Sequence, residues 1–321
     1  MLLARQPMTS EYLMSGTIAC TLTPFDEAGS VMFNSVTDQA RRLNQIDSVI
    51  GIAVSATLRE RLILTPEERF EVIRHTRDGL ENGQILVSFV GKLDEEVINE
   101  VVACRAAGAD VIVTFLPRRE KGAYEESLTQ MITHLAALTD ELGLRLIFTS
   151  SDGESRWVEA SKDMAVLGRT GQTIVDLGES QGDKLLRYDQ DHDPSNSTNW
   201  PMALKPHPEA TLFQDIYTSD DCMISLLAYI APHEMAALNC ASRNGRLLDA
   251  QATRTELAPL IAILSDPEPN TRELICREIA HYRGLLASPV ARGIADPLCP
   301  QLRRHIHQVI HEIGLRPISW V

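Results

Sequence analysis

Two lysines and three arginines that fall directly after short apolar runs are the side chains best placed to do chemistry: Lys92, Lys205, Arg59, Arg118 and Arg119. A lysine amine with a lowered pKa attacks a ketone and forms an iminium, which stabilises an adjacent carbanion. Each lysine has a plain alternative as an outward or helix-capping side chain. Guanidinium groups grip anions through paired N–H donors, so the arginines form either a cationic cup for a dicarboxylate, a phosphate or a sugar acid, or ordinary loop ion pairs with Glu60, Glu120 and other acids. His207, beside Lys205, is placed for acid–base work or simply enters a helix before Pro208. His307 and His311 stand one helical turn apart, a spacing zinc can use. No third ligand is evident on that face, so they and His305 read as solvated helix histidines, and neither a metal nor a cofactor is expected.

The elements that must position these groups repeat regularly. Short β-branched or apolar runs occur at Thr17–Leu22, Val49–Val54, Ile85–Phe89, Val111–Phe115, Arg145–Phe148, Thr173–Leu177, Met202–Leu204 and Met223–Leu227. Helical spacing separates them. Thr65-Pro66-Glu67-Glu68 offers a capping Thr, a first-turn Pro and two acids before the stripe Phe70, Ile73, Leu80. Val97, Val101 and Cys104 form a second stripe stopped by Gly108, and Met131, Leu135 and Leu138 a third ended near Gly143. Each strand is one helix away from the next, which leaves no room for hairpins.

Eight such units specify an α/β protein, either a closed (β/α)8 barrel or a doubly wound sheet. A doubly wound nucleotide fold normally has a glycine-rich turn after an early strand. Here the first strand runs into Thr23-Pro24-Phe25, so the barrel is favoured. Beyond it, Pro232–Asn244, Leu247–Leu264, Asn270–Leu286 and Pro300–Ile313 are helical, too many for the last barrel helix alone. The expected organisation is a short N-terminal segment (1–15), a barrel (16–243) and a C-terminal helical region (244–321), with Tyr188–Asn199 as a long loop. The barrel architecture puts the chemistry at the carboxyl ends of the strands.

Composition narrows the partners. The chain has 321 residues, 44% hydrophobic and 23% charged, which excludes disorder and a cross-linked mini-protein. Thirty basic against 44 acidic residues give −14, a charge that disfavours nucleic acid. The longest nearly uncharged run, Cys222–Pro232, is too short to cross a bilayer. The six cysteines lack metal or redox spacing and read as free thiols in a reducing compartment. The amino terminus shows no secretory pattern, so a cytoplasmic protein is expected.

Several ordered segments resemble one family. Gly16-Thr17-Ile18, Thr23-Pro24-Phe25-Asp26 and Gly29-Ser30-Val31 are similar to the opening of the dihydrodipicolinate synthase/N-acetylneuraminate lyase family. Leu64-Thr65-Pro66-Glu67-Glu68-Arg69 resembles its second helix start, and Ala106-Ala107-Gly108-Ala109-Asp110 the approach to its fourth strand. Met223-Ile224-Ser225 and Ala231-Pro232-His233-Glu234-Met235 resemble strand eight and the helix after it. Together they run in order over roughly residues 16 to 290. The resemblance implies an eight-stranded barrel with a helical carboxy-terminal extension, commonly a homo-oligomer (dimer or tetramer), and an imine with pyruvate or a related 2-oxo acid.

It also implies functional residues that this chain lacks. The imine lysine ends strand six. Aligning Thr173–Leu177 with that strand puts Gly178 at its place, and Glu179-Ser180-Gln181-Gly182-Asp183 continues the family pattern. The family's Gly-Thr-Thr-Gly-Glu loop becomes Ala56-Thr57-Leu58-Arg59-Glu60, which keeps one threonine and the glutamate. The tyrosine pair after strand four becomes Arg118-Arg119, and the proton-shuttling tyrosine of strand five becomes Thr149 or, with a shifted gap, Ser150. A threonine hydroxyl cannot replace a phenol as proton donor. The substrate arginine falls near Glu154. Thr57, Arg59, Arg118, Arg119 and Thr149 remain as candidate ligand contacts, and Lys205 and Glu60 as candidate catalytic groups, a structural role being preferred for Glu60. The expectation is a divergent member, silent or adapted to another small anionic ligand. The alternative is an active 2-oxo-acid lyase or aldolase using Lys205 or Lys92 as a displaced amine.

Overall fold

The computed structural model describes residues 17–46, 48–92, 95–116, 125–150, 173–176, 205–206, 223–265, 269–294 and 297–318. Eight strands form one sheet: β1 (Thr17–Cys20), β2 (Val49–Val54), β3 (Ile85–Lys92), β4 (Val111–Leu116), β5 (Arg145–Ser150), β6 (Thr173–Asp176), β7 (Lys205–Pro206) and β8 (Met223–Ser225). Their order is β6-β5-β4-β3-β2-β1-β8-β7, every ladder parallel. That is chain order around a ring. A doubly wound sheet would reverse direction at a switch point, and this one does not. The fold is the (β/α)8 barrel.

Alternation within the strands builds two layers. Ile18, Cys20, Ala53, Ile85, Val87, Phe89, Val111, Val113, Ile147 and Ile224 pack together as the barrel interior. The intervening Ala19, Ile52, Val54, Leu86, Val90, Ile112 and Leu146 belong to the outer core, against the helices. Burial on both faces explains why the strands read as apolar runs rather than alternating ones. Gly51 is required by this closeness, since a Cβ there would meet the Ile85 carbonyl oxygen at 2.4 Å.

The outer helices are α1 (Phe33–Asn44), α2 (Leu58–Ile63), α3 (Pro66–Gly79), α4 (Glu95–Ala107) and α5 (Glu125–Glu141). At α3 the expected signals operate together: Thr65 accepts the Glu68 N–H, Glu68 accepts the Thr65 N–H, and Pro66 fills the first turn. Gly108, with φ +112°, ends α4 as a left-handed stop. After β8 come α6 (Leu227–Ile230), α7 (Pro232–Arg243), α8 (Leu247–Ser265), α9 (Pro269–Tyr282) and α10 (Pro300–Glu312). Their apolar faces, including Leu260, Ile279 and Ile306, join the same core as α1 and α3. The carboxy-terminal helices therefore extend the barrel's outer layer and do not enclose a core of their own.

Only β2 matches its expected run at both ends, and the differences at β8 and β7 bear on the mouth. β8 stops at Ser225 because the Ser225 hydroxyl oxygen accepts the Leu227 N–H at 3.0 Å and turns the chain into α6. β7 consists of Lys205 and Pro206, whereas the sequence suggested Met202–Leu204 with Lys205 just beyond; those three residues lie outside the described set. The ladder pairs Lys205 with Met223, the first residue of β8, which pairs in turn with Thr17, the first of β1.

Candidate active site at the barrel mouth

The turn after β2 shapes the mouth. Ser55 adopts φ +55°, the left-handed region that costs a non-glycine residue about 1–2 kcal/mol. The Arg61 Nη1 donates to the carbonyls of Ser55 and Ala56, at 3.1 and 3.3 Å, and holds this turn. Thr57 then caps α2, its hydroxyl oxygen accepting the Glu60 N–H at 3.1 Å. One short helix follows, and its residues 59, 60 and 61 reach different surroundings.

Glu60 turns inward to the carboxy-terminal helices. It is fully buried and accepts the Thr23 N–H at 2.5 Å. Arg277 of α9, also fully buried, lies 3.6 Å from the same carboxylate oxygen and donates to the Thr23 carbonyl at 2.9 Å and to Glu273 at 2.9 Å. Burial pushes the Glu60 carboxyl up from its ordinary 4.5 to about 7. Arg277 pulls the other way and Glu273 adds repulsion. Desolvation prevails because Arg277 makes no hydrogen bond to Glu60, and Oε2 has no partner among the described residues. A carboxyl sealed this completely fastens the β1 end to α9; no solvent-borne ligand reaches it.

Arg59 follows the same direction. Its Nε is 3.2 Å from the Glu273 carboxylate, with both side chains largely withdrawn from solvent. Its charge is met by the carboxy-terminal helices and not left open at the mouth. Sequence alone offered Glu60 and Glu120 as partners. Glu273, more than two hundred residues away, became visible only in the fold.

Arg61 turns the other way. Its guanidinium carbon sits 4.1 Å from the centre of the Phe115 ring. Phe115, the penultimate residue of β4, packs on the barrel interior and lies 6.1 Å from the Phe89 ring. Arg61 therefore lies over the carboxyl end of the barrel. Burial lowers its pKa from 12.5 to about 10, against the raising pull of Glu100 and Glu60. Glu100 is committed elsewhere, to Arg69 at 3.0 Å and to the Gly91 N–H at 3.0 Å. Sequence reading passed over Arg61. The available signal was the third basic position in a short helix starting at the mouth.

The remaining candidates are placed by backbone register. Lys92 is the last residue of β3 and pairs with Phe115, across a bulge that follows the Phe89–Val113 pair. Lys92 thus occupies the row of an interior residue at the mouth. For β7 the row of the interior residues Ile18 and Ile224 belongs to Pro206, not to Lys205. Thr149 pairs with Phe115 on one side and Asp176 on the other, so it is level with the mouth. Arg118 and Arg119, and with them Gly178 and His207, lie outside the described residues. His307 pairs with Glu278 at 2.8 Å, and no group of three or more potential metal ligands occurs among the described residues. Cys20, Cys104 and Cys276 are buried thiols, while Cys240 and Cys299 are exposed.

The fold and the strand-end site define a (β/α)8-barrel protein with its mouth bounded by the β2–α2 turn. No family model matches the chain. Its similarity to curated proteins nevertheless runs nearly end to end. The 4-hydroxy-tetrahydrodipicolinate synthase of Haloarcula marismortui is 22% identical over 296 residues, covering 90% of this chain and 91% of that protein. That of Bartonella bacilliformis is 21% identical over 310 residues, covering 94% and 99%. Among solved structures, dihydrodipicolinate synthase from Aquifex aeolicus superposes with a TM-score of 0.75 at 18% identity, over 95% of this chain and 100% of the other. N-acetylneuraminate lyase from Mycoplasma synoviae gives 0.72 at 13% identity, over 94% and 98%. In sequence and in fold the chain is thus similar, nearly end to end, to proteins of the dihydrodipicolinate synthase/N-acetylneuraminate lyase family.

Proposed function

We propose that this chain is a divergent member of the family that holds a small anionic ligand at the barrel mouth without the imine chemistry of its relatives. The carrying observation is Gly178. It follows β6 by two residues, where the family resemblance calls for the reactive lysine, and glycine offers no amine. The anchoring sequence Thr173–Asp176 is a strand in the sheet, which supports that alignment. Thr149, in place of the proton-shuttling tyrosine, supports the same conclusion from a second strand. Glu60 and Arg59 serve here as supports of the mouth through Arg277 and Glu273. We further propose a cytoplasmic homo-oligomer, dimer or tetramer.

A second reading, an active 2-oxo-acid lyase with a displaced amine, is favoured by one observation. Lys92 shares the interior row of Phe115 at the mouth, and bulges recur beside active sites because they re-aim a strand end. The β7 register weighs against Lys205 in that role. Borohydride treatment of the full chain with pyruvate, followed by peptide mass spectrometry, separates the two. The expected result is no adduct at any lysine. A stoichiometric adduct on Lys92 or Lys205 establishes the second reading and rejects the first.

A further inference from the structure

Four arginines ring the β2–α2 turn and its supports, and each has a carboxylate: Arg59 has Glu273, Arg69 has Glu100, Arg277 has Glu273 and Glu60, and Arg292 has Glu68. Arg61 is the exception. Among the described residues no carboxylate lies within ion-pair distance of it, and its only hydrogen bonds run from Nη1 to two carbonyls. That attachment fixes the group without neutralising it. Both Nη1 protons are engaged, so the edge formed by Nε and Nη2 has no partner among the described residues. Such an edge presents two parallel N–H donors, the match for one flat carboxylate. The guanidinium carbon stands over the Phe115 ring, with Phe89 beyond it, so aromatic carbon borders the group on that side.

We infer that Arg61 is the ligand-anchoring residue of the mouth, taking the carboxylate of a small acid on its Nε–Nη2 edge while the acid's short carbon body rests toward Phe115. The inference rests on the proposed anion-binding role and makes it specific. It assigns charge recognition to α2, whereas the retained Thr57 spends its hydroxyl oxygen on capping that helix. A single free fork, together with an apolar floor, favours a compact carboxylate such as a 2-oxo acid over a tetrahedral phosphate, whose third oxygen would be left without a donor here.

The test is calorimetric titration of the full chain with pyruvate, with the uncharged methyl ester of pyruvate and with inorganic phosphate. Arg61→Gln keeps an amide donor for the Ser55 and Ala56 carbonyls but removes the charge and the fork. Arg61→Lys keeps the charge alone. Expected is a wild type that prefers pyruvate to its ester, a loss of about tenfold or more in pyruvate affinity in Arg61→Gln with the preference gone, and an intermediate loss in Arg61→Lys. A purely structural role would weaken both ligands alike and leave their ratio unchanged, which would overturn the assignment while the anion-binding role survives. Phosphate binding more tightly than pyruvate would overturn the carboxylate class. A wild type that binds neither anion would overturn the anion-binding role and this inference with it. Should Arg61→Gln fail to fold, as judged by circular dichroism, Arg61→Lys carries the comparison: an unchanged pyruvate-to-ester ratio and affinity there would refute the fork.

Discussion

Glu60→Gln isolates the energetics of the buried charge cluster, because glutamine has the shape and hydrogen-bonding capacity of the protonated acid but cannot ionise. In the folded chain the Glu60 carboxyl titrates at about 7, above its ordinary 4.5. A raised folded value means that the native state binds the proton more tightly, so stability from this group is fully present below about pH 4.5 and is lost as pH rises through about 7. The difference of roughly two and a half units, at about 1.4 kcal/mol each, is on the order of 3 kcal/mol. With an unfolding entropy of about 2 cal/mol/K per residue, a chain of 321 residues loses about 4 to 5 °C in Tm for that amount. Wild type and Glu60→Gln are compared by differential scanning calorimetry at pH 5 and pH 8 at one scan rate. Other groups titrate equally in both proteins, so the difference between them is the readout. The variant is expected to match wild type within about 1 kcal/mol at pH 5 and to exceed it at pH 8. A difference that stays flat from pH 5 to pH 8 would show that Arg277 holds Glu60 ionised throughout, and the desolvation argument would be wrong.

Removing the cation instead is expected to be far more damaging. Arg277→Met leaves Glu60 with no guanidinium beside it and Glu273 with Arg59 alone, and the loss is about 3–5 kcal/mol in urea unfolding. A loss under 1 kcal/mol would show that the cluster contributes little. Thr65→Ala removes one half of the reciprocal cap on α3 and is expected to cost about 1 kcal/mol by the same measurement, with no change in ligand affinity at the mouth.

The architecture was legible in the residues because barrel strands, buried on both faces, leave a signal that needs no partner information. Seven of the expected runs overlap the observed strands, and the cap at Thr65 and the stop at Gly108 acted locally as their chemistry dictates. Local signals failed where a contact came from elsewhere. The apolar run Met202–Leu204 lies outside the described residues, and the ladder with Met223 makes strand of the two residues after it. β8 was cut short by a serine hydroxyl acting on the next turn.

For the site, the sequence determined residue type. Gly178 and Thr149 exclude an amine and a phenol at those positions by residue type alone, whatever the surroundings. What tertiary structure decided is the fate of the charges that remain. Arg59, Glu60 and Arg61 are consecutive in the chain, yet one is neutralised by α9, one is sealed beneath it and one lies over the barrel's aromatic floor. Successive residues of a helix point about 100° apart, so neighbours in sequence meet different walls. Which wall holds a carboxylate depends on residues more than two hundred positions away, and only the folded chain brings them there.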